Sequence, residues 1–305
     1  MPAIATALLP ILFLILLGLG LKTIHFIPDT AWAGMERLTY FLLFPALLIH
    51  TLGRQQMAGV PWPEILQVVV AVLLLSSTLL VLWYRLFSST SGATFTSIFQ
   101  GGVRFNTYIA LALCQGFYGE RGLAMGAVAA GFMIVLINLL CVSALSIWGS
   151  AKGSLRGFLR DIAGNPLIIA CVIGWSLNLS GLGLPGPSGD ILEIVGRAAL
   201  PFGLLAVGAA LRLDALHGHL GPILVSSLVQ YGFKPLATAV LIGLAGLSGV
   251  AAGALVIVFM TPTAPSAYIL ARQLGGDPET MASIITLQTL LGFAVMPTIA
   301  YLMLG

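Results

Sequence analysis

The chain has 305 residues, 59% hydrophobic and only 8% charged, with a mean hydropathy of +1.06. A soluble protein carries about 25% charged residues, so this composition excludes a water-soluble fold and indicates an all-α integral membrane protein. The formal net charge of +3 gives no footing for a nucleic-acid partner.

The first 26 residues, "MPAIATALLPILFLILLGLGLKTIHF", lack a positive n-region, and their apolar run is too long for a signal peptide. They are expected to stay as a first span. A spanning helix needs about 20 apolar residues. Ten such segments are expected, at 3–22, 32–52, 63–87, 93–117, 121–148, 164–180, 190–212, 219–244, 249–274 and 279–303. Loop cations set the orientation. With the N-terminus outside, the inner connections hold Lys22, Arg85, Lys152, Arg156, Arg160, Arg212 and Arg272, and the outer ones only Arg54 and Arg121. Both termini are therefore expected on the outer side, periplasmic in an inner membrane. The polar connector at 149–163 is expected in the cytoplasm.

That connector divides the chain into halves at 1–148 and 164–305 that repeat one another. "RLTYFLLFPALL" around Pro45 matches "EIVGRAALPFGLL" around Pro201, an offset of 201 − 45 = 156. "QGFYGERGLAMGA" at Gly119 matches "RQLGGDPETMASI" at Gly276, an offset of 276 − 119 = 157. Five spans per half is an odd number, so the second half would enter the membrane from the opposite side. Such an inverted repeat is a hallmark of secondary transporters.

The fourth and ninth spans are interrupted at equivalent points. In "VFMTPTAPSAY" the residues Thr261, Pro262, Thr263, Pro265 and Ser266 fall in an apolar run. Pro262 and Pro265 lack N–H groups, so the carbonyls of Val258 and Thr261 lose their helical partners. "FQGGVRFNTYIALA" interrupts the fourth span with Gly101, Gly102, Arg104, Asn106 and Thr107, followed by Tyr108. Breaks in lipid persist only where protein or a wet cavity satisfies the backbone. New half-helices are expected near Thr107 and near Pro265. Their N-termini would make a partly positive site suited to an anion. The plainer alternative is a pair of proline kinks without a ligand, the role expected for Pro45, Pro201 and Pro297.

Intramembrane polar groups follow. Arg104 lies near the bilayer centre, where an arginine costs at least about 2.5–3.5 kcal/mol. It either meets a substrate anion or caps carbonyls of the broken helices. Lys234, beside Pro235, is deep but expected nearer the outer side. Asn138 and Gln288 are lone amides that either face substrate or join helices. Arg197 is expected to pair with Glu193 at i,i+4. His25, His50, His217 and His219 are expected at interfaces without metal spacing, and Cys114, Cys141 and Cys171 as buried small hydrophobes. There is no H-E-x-x-H, G-x-S-x-G or Walker A lysine, so no enzyme and no cofactor is expected.

These segments resemble the auxin efflux carrier family, of the superfamily that includes bile-acid, arsenite and riboflavin transporters. The resemblance covers essentially the whole chain through "FLLFPALL", "VRFNTYIALA", "GNPLIIACVIGWSLNLSGLGLP", "ALPFGLLAVGAALRL" and "TPTAPSAYILARQLGGDPETMASIITLQTLL". It implies a scaffold of spans 1, 2, 6 and 7 and a transport domain of spans 3–5 and 8–10. Spans 4 and 9 would cross at the substrate site, with elevator-type alternating access. Asn106 and the segment 261–266 fall at that crossover. The chain lacks the long central loop of plant members, and its third span holds no mid-membrane Asp or Lys. The expectation is a secondary transporter that exports a small organic anion, a carboxylate, across the inner membrane. A lipid-modifying membrane enzyme and an anion channel are the alternatives. The coupling ion, H⁺ or Na⁺, and a homodimer are left open.

Overall fold

The structure is a computed structural model that describes residues 2–54, 60–150, 163–216 and 220–304. The expected connector, with Lys152, Arg156 and Arg160, lies almost wholly outside the described residues, as do His217 and His219. All secondary structure among the described residues is helical. The first helices are α1 (Pro2–Thr23), α2 (Asp29–Leu38), α3 (Phe44–Arg54), α4 (Trp62–Phe87), α5 (Gly92–Val103) and α6 (Thr107–Trp148). They are followed by α7 (Pro166–Leu179), α8 (Ser188–Arg197), α9 (Ala199–Ala209), α10 (Leu220–Leu228), α11 (Lys234–Leu244), α12 (Gly249–Phe259), α13 (Ser266–Gln273) and α14 (Pro278–Leu304).

Among the described residues, 7 helical stretches are long and apolar enough to cross a membrane. One of them, Gly92–Trp148, has 57 residues, far more than the ~20 that one crossing needs. It is divided twice. The first division is the extended segment 104–106, between α5 and α6. The second is Gly119 inside α6, with φ 62° and ψ −148°, a conformation open to glycine and strained for any other residue. There the chain doubles back, since Gly122 packs against Cys114 and Gly126 against Leu111. Helices α7 and α12 are apolar but shorter.

Three further spans are bent where a proline demands it. Thr39–Leu43 and Val229–Phe233 are π-helical turns, each ending one residue before an X-Pro pair: Phe44-Pro45 and Lys234-Pro235. A proline ring clashes with the carbonyl four residues back and offers it no N–H. The π turn resolves this by bonding Phe44 N–H to Thr39 and Lys234 N–H to Val229, one residue further back. Pro201 instead accompanies the break at Ala198 between α8 and α9. Pro297 is accommodated within a continuous α14.

Close helix contacts use small residues, as expected where apolar burial gives no net drive between helices. On α1 and α9, a Cβ added at Gly18 or Gly208 would overlap the Leu205 or Ile15 backbone, respectively, at 2.1 and 1.9 Å. Helix α3 packs on α7 at Gly174–Leu52 and on α8 at Gly196–Leu47. The interior belongs to α5 and α12. Every residue of α5 from Phe95 to Val103 is buried, as is every residue of α12 from Gly253 to Phe259. Leucines of α4 and α10 to α11, including Leu74, Leu82, Leu228 and Leu236, face outward.

Candidate functional site

The two buried helices α5 and α12 each stop inside the protein. Helix α5 ends at Val103, and Arg104 turns extended (φ −69°, ψ 166°). Asn106 then caps α6: its Oδ1 accepts from the N–H groups of Tyr108 at 3.1 Å and Ile109 at 3.2 Å. An asparagine at the N-cap satisfies donors that would otherwise be orphaned in an apolar interior. Helix α12 ends at Phe259, and α13 begins at Ser266.

The carbonyls that Pro262 and Pro265 deprive of partners are met by side chains. The Thr261 hydroxyl donates to Val258 O at 3.0 Å. The Gln230 amide donates to Thr261 O. Two cross-braces then tie one break to the other. Gln288 Nε2 donates to Gly101 O at 3.0 Å, while Gln288 Oε1 accepts from Thr263 N at 3.0 Å. Lys234 Nζ donates to the carbonyls of Val103 at 3.3 Å and Arg104 at 3.1 Å, and to Gln230 Oε1 at 2.7 Å. The Thr263 hydroxyl reaches Gln100 O at 3.4 Å.

Arg104 is 8% exposed. Its Nε donates to Gln100 Oε1 and one terminal nitrogen to Asn138 Oδ1, both at 3.1 Å, with the Cys141 sulfur nearby. A guanidinium has five donors, so capacity remains for a further acceptor. Capping of broken-helix carbonyls, one of the two roles open to Arg104, belongs to Lys234 and Gln288 instead. Lys234 also lies deeper than expected, with its ammonium against the carbonyls of the first break. Among the described residues neither cation forms an ion pair. Two buried amide donors, Gln100 Nε2 and Asn106 Nδ2, have no partner. The site is thus rich in donors and positive charge.

The remaining expected residues are placed as follows. Pro262 is buried, and Pro265 and Thr107 are partly buried, at the ends of the breaks; Ser266 is exposed and stands apart from the buried network. The Tyr108 ring packs on Phe44, with centroids 4.5 Å apart, and against Gly203 of α9. Gln100 and Gln230 were not singled out in the sequence. A signal was present: each stands four residues before a buried cation, as Gln100–Arg104 and Gln230–Lys234.

One turn beyond Tyr108 and Phe44 lies a cavity of about 890 Å³, bounded by α1, α3, α6, α8 and α9. Its floor includes Leu47, Ala112, Leu200 and Leu204, and its rim Arg54, Glu120, Arg121, Glu193 and Arg197. Glu193 pairs with Arg197, as expected at i,i+4, and also with Arg54 at 3.4 Å and His50 at 3.6 Å. His50 therefore belongs to a charged cluster rather than to a bare interface. A second cavity of about 480 Å³ is lined by Thr94, Arg212, Tyr268, Arg272, Asp277 and Glu279.

Residues 152–302 match the family described as "Membrane transport protein". A protein of Rhizobium meliloti (strain 1021) named "Putative malonate transporter" is 25% identical over 333 aligned positions, covering 99% of this chain and 96% of that protein. The chain is a multi-pass membrane transporter rather than an enzyme, and its second half is similar to the membrane transport protein family.

Proposed function

We propose that the protein is a secondary active transporter that exports a small organic anion, best a short dicarboxylate, across the inner membrane. The observation that carries the anion is the donor surplus at the crossover. The Arg104 guanidinium donates to two neutral amide oxygens, those of Gln100 and Asn138, and Gln100 Nε2 and Asn106 Nδ2 are buried without acceptors. An unsatisfied buried donor costs about 1–3 kcal/mol, and a carboxylate is the acceptor that would relieve it. Two cations, Arg104 and Lys234, with no carboxylate partner favour a divalent charge. The malonate in the name of the Rhizobium relative agrees with that chemistry.

Ten spans in two inverted repeats follow from dividing Gly92–Trp148 at Gly119 and counting α7 and α12 with α13 as crossings. The breaks at 104–106 and 261–265 support the repeat, since Asn106 and Thr263 stand 263 − 106 = 157 positions apart. An elevator-type motion is supported by the packing of α1, α3, α7, α8 and α9 on one another, with the large cavity between them and α6. In this reading the units are residues 1–148 and 164–305, both termini are periplasmic, and Asn106, Thr261 and Thr263 help Arg104 position the substrate.

The test is uptake into proteoliposomes of labelled malonate, with other carboxylates and an organic amine as competitors. Saturable uptake that is competed by dicarboxylates is expected. Competition by the amine alone would reverse the assigned charge of the substrate.

A further inference from the structure

Lys234 is fully buried. An ammonium has three donors, and its three acceptors are Val103 O, Arg104 O and Gln230 Oε1, at 3.3, 3.1 and 2.7 Å. The Phe259 ring closes another side, 5.7 Å from Nζ. All three acceptors are neutral oxygens. Two sit at the C-terminal end of α5, where the helix dipole is negative. Unwound backbone carbonyls at half-helix C-termini are the groups with which membrane carriers hold Na⁺. Here a cation of the same charge arrives on a side chain of α11.

We propose that Lys234 is a tethered substitute for a coupling Na⁺: its ammonium occupies a three-oxygen cage at the crossover, and the carrier runs without Na⁺ at that position. Because all three ammonium protons are committed to protein oxygens, Lys234 does not touch the substrate. It positions the α5 end and adds positive potential, and Arg104 is left as the contacting cation. A tethered cation also cannot dissociate between half-cycles, so no Na⁺ gradient is spent through this site. The coupling consequence rests on the transporter reading, whereas the cage itself does not.

Purified protein in detergent gives a test without substrate. The wild-type melting temperature should be the same in NaCl, KCl and choline chloride. Lys234→Ala vacates the cage, so its melting temperature should fall in choline and recover most of that loss, saturably, in Na⁺. Lys234→Met fills the cage with an apolar chain and should fall without any response to Na⁺. In proteoliposomes, wild-type uptake should ignore a Na⁺ gradient, and Lys234→Ala should acquire dependence on one. Stabilisation of the wild type by Na⁺ overturns the proposal. So does a Lys234→Ala protein that fails to fold equally in Na⁺ and in choline, because the vacated oxygens then hold no ion. If wild type moves no anion at all, the transport reading fails while the melting series still decides the cage.

Discussion

The side-chain amide of Gln288 joins two backbone groups that belong to different broken helices: it donates to Gly101 O and accepts from Thr263 N, each at 3.0 Å. One side chain thus satisfies a carbonyl near the end of α5 and an N–H beyond the end of α12, 187 and 25 residues away in sequence. Removing it as Gln288→Ala leaves two buried backbone groups unpaired, at about 1–3 kcal/mol each. We predict a loss of at least about 2 kcal/mol, seen as a lower thermal midpoint in detergent, together with loss of transport. A midpoint equal to wild type would show that water meets both groups and that the brace carries no weight.

Pro262 and Pro265 should hold the second break open. Alanine at both positions returns N–H groups in register with Val258 O and Thr261 O, which now depend on the Thr261 hydroxyl and the Gln230 amide. The expected outcome for the double variant is added helix by circular dichroism, unchanged or higher stability, and no transport, since strain at functional sites tends to oppose stability. Normal transport would reduce these prolines to ordinary kinks.

How much of this was legible in the sequence differs from element to element. The helix ends were: segments expected at 63–87 and 279–303 are the helices Trp62–Phe87 and Pro278–Leu304, because a run of apolar residues in lipid has one available structure. The breaks were legible too, since the chemistry of Pro262 and Pro265 in one and of Gly101, Gly102 and Asn106 in the other is local. The π turns before Pro45 and Pro235 were not, because a proline kink has several resolutions that tertiary packing selects among. The partners of the broken backbone were the least legible. Lys234 meets Val103 across 131 positions, and nothing local distinguishes that from snorkelling to an interface. The exposed Ser266 shows the converse, a polar residue beside a break that is not buried with the rest.

Helices α6 and α9 meet closely where Tyr108 packs on Gly203, and that contact should act as a barrier between the larger cavity and the two breaks. A Cβ at Gly203 would stand 2.8 Å from the Tyr108 ring. If α6 slides past α9 in the elevator motion proposed above, Gly203→Ala should jam it and lower the rate of transport, with substrate affinity little changed. Tyr108→Ala should open the barrier. In a background without Cys114, Cys141 and Cys171, a Thr107→Cys probe should react faster with a water-soluble thiol reagent when Tyr108 is alanine. Equal reaction rates would place the barrier elsewhere.

The orientation rests on the unequal distribution of loop cations and is open to direct labelling. Ser154→Cys, in the connector with Lys152, Arg156 and Arg160, should be shielded from an impermeant thiol reagent added outside intact cells. Gln56→Cys, after Arg54, should be labelled. Labelling of Ser154→Cys from outside would invert the topology.

Arg104 provides the sharpest test of the anion. Its guanidinium is held by Gln100 and Asn138, so the ring of donors is pre-oriented and a carboxylate can accept two parallel hydrogen bonds from it, a geometry lysine cannot reproduce. Arg104→Lys should keep the fold but weaken substrate binding by more than tenfold, about 1.4 kcal/mol, and Arg104→Gln should do worse. Charge transfer gives an independent handle. Moving one negative charge outward is favoured by about 2.3 kcal/mol per 100 mV of inside-negative potential, and a dianion by about twice that. Export of a dicarboxylate without a co-ion should thus rise steeply with a potassium-diffusion potential clamped across the liposome. Symport of two protons per dianion would flatten that dependence, so the slope counts the protons. Arg104→Gln protein that binds and moves malonate like wild type would remove the anion site from the crossover.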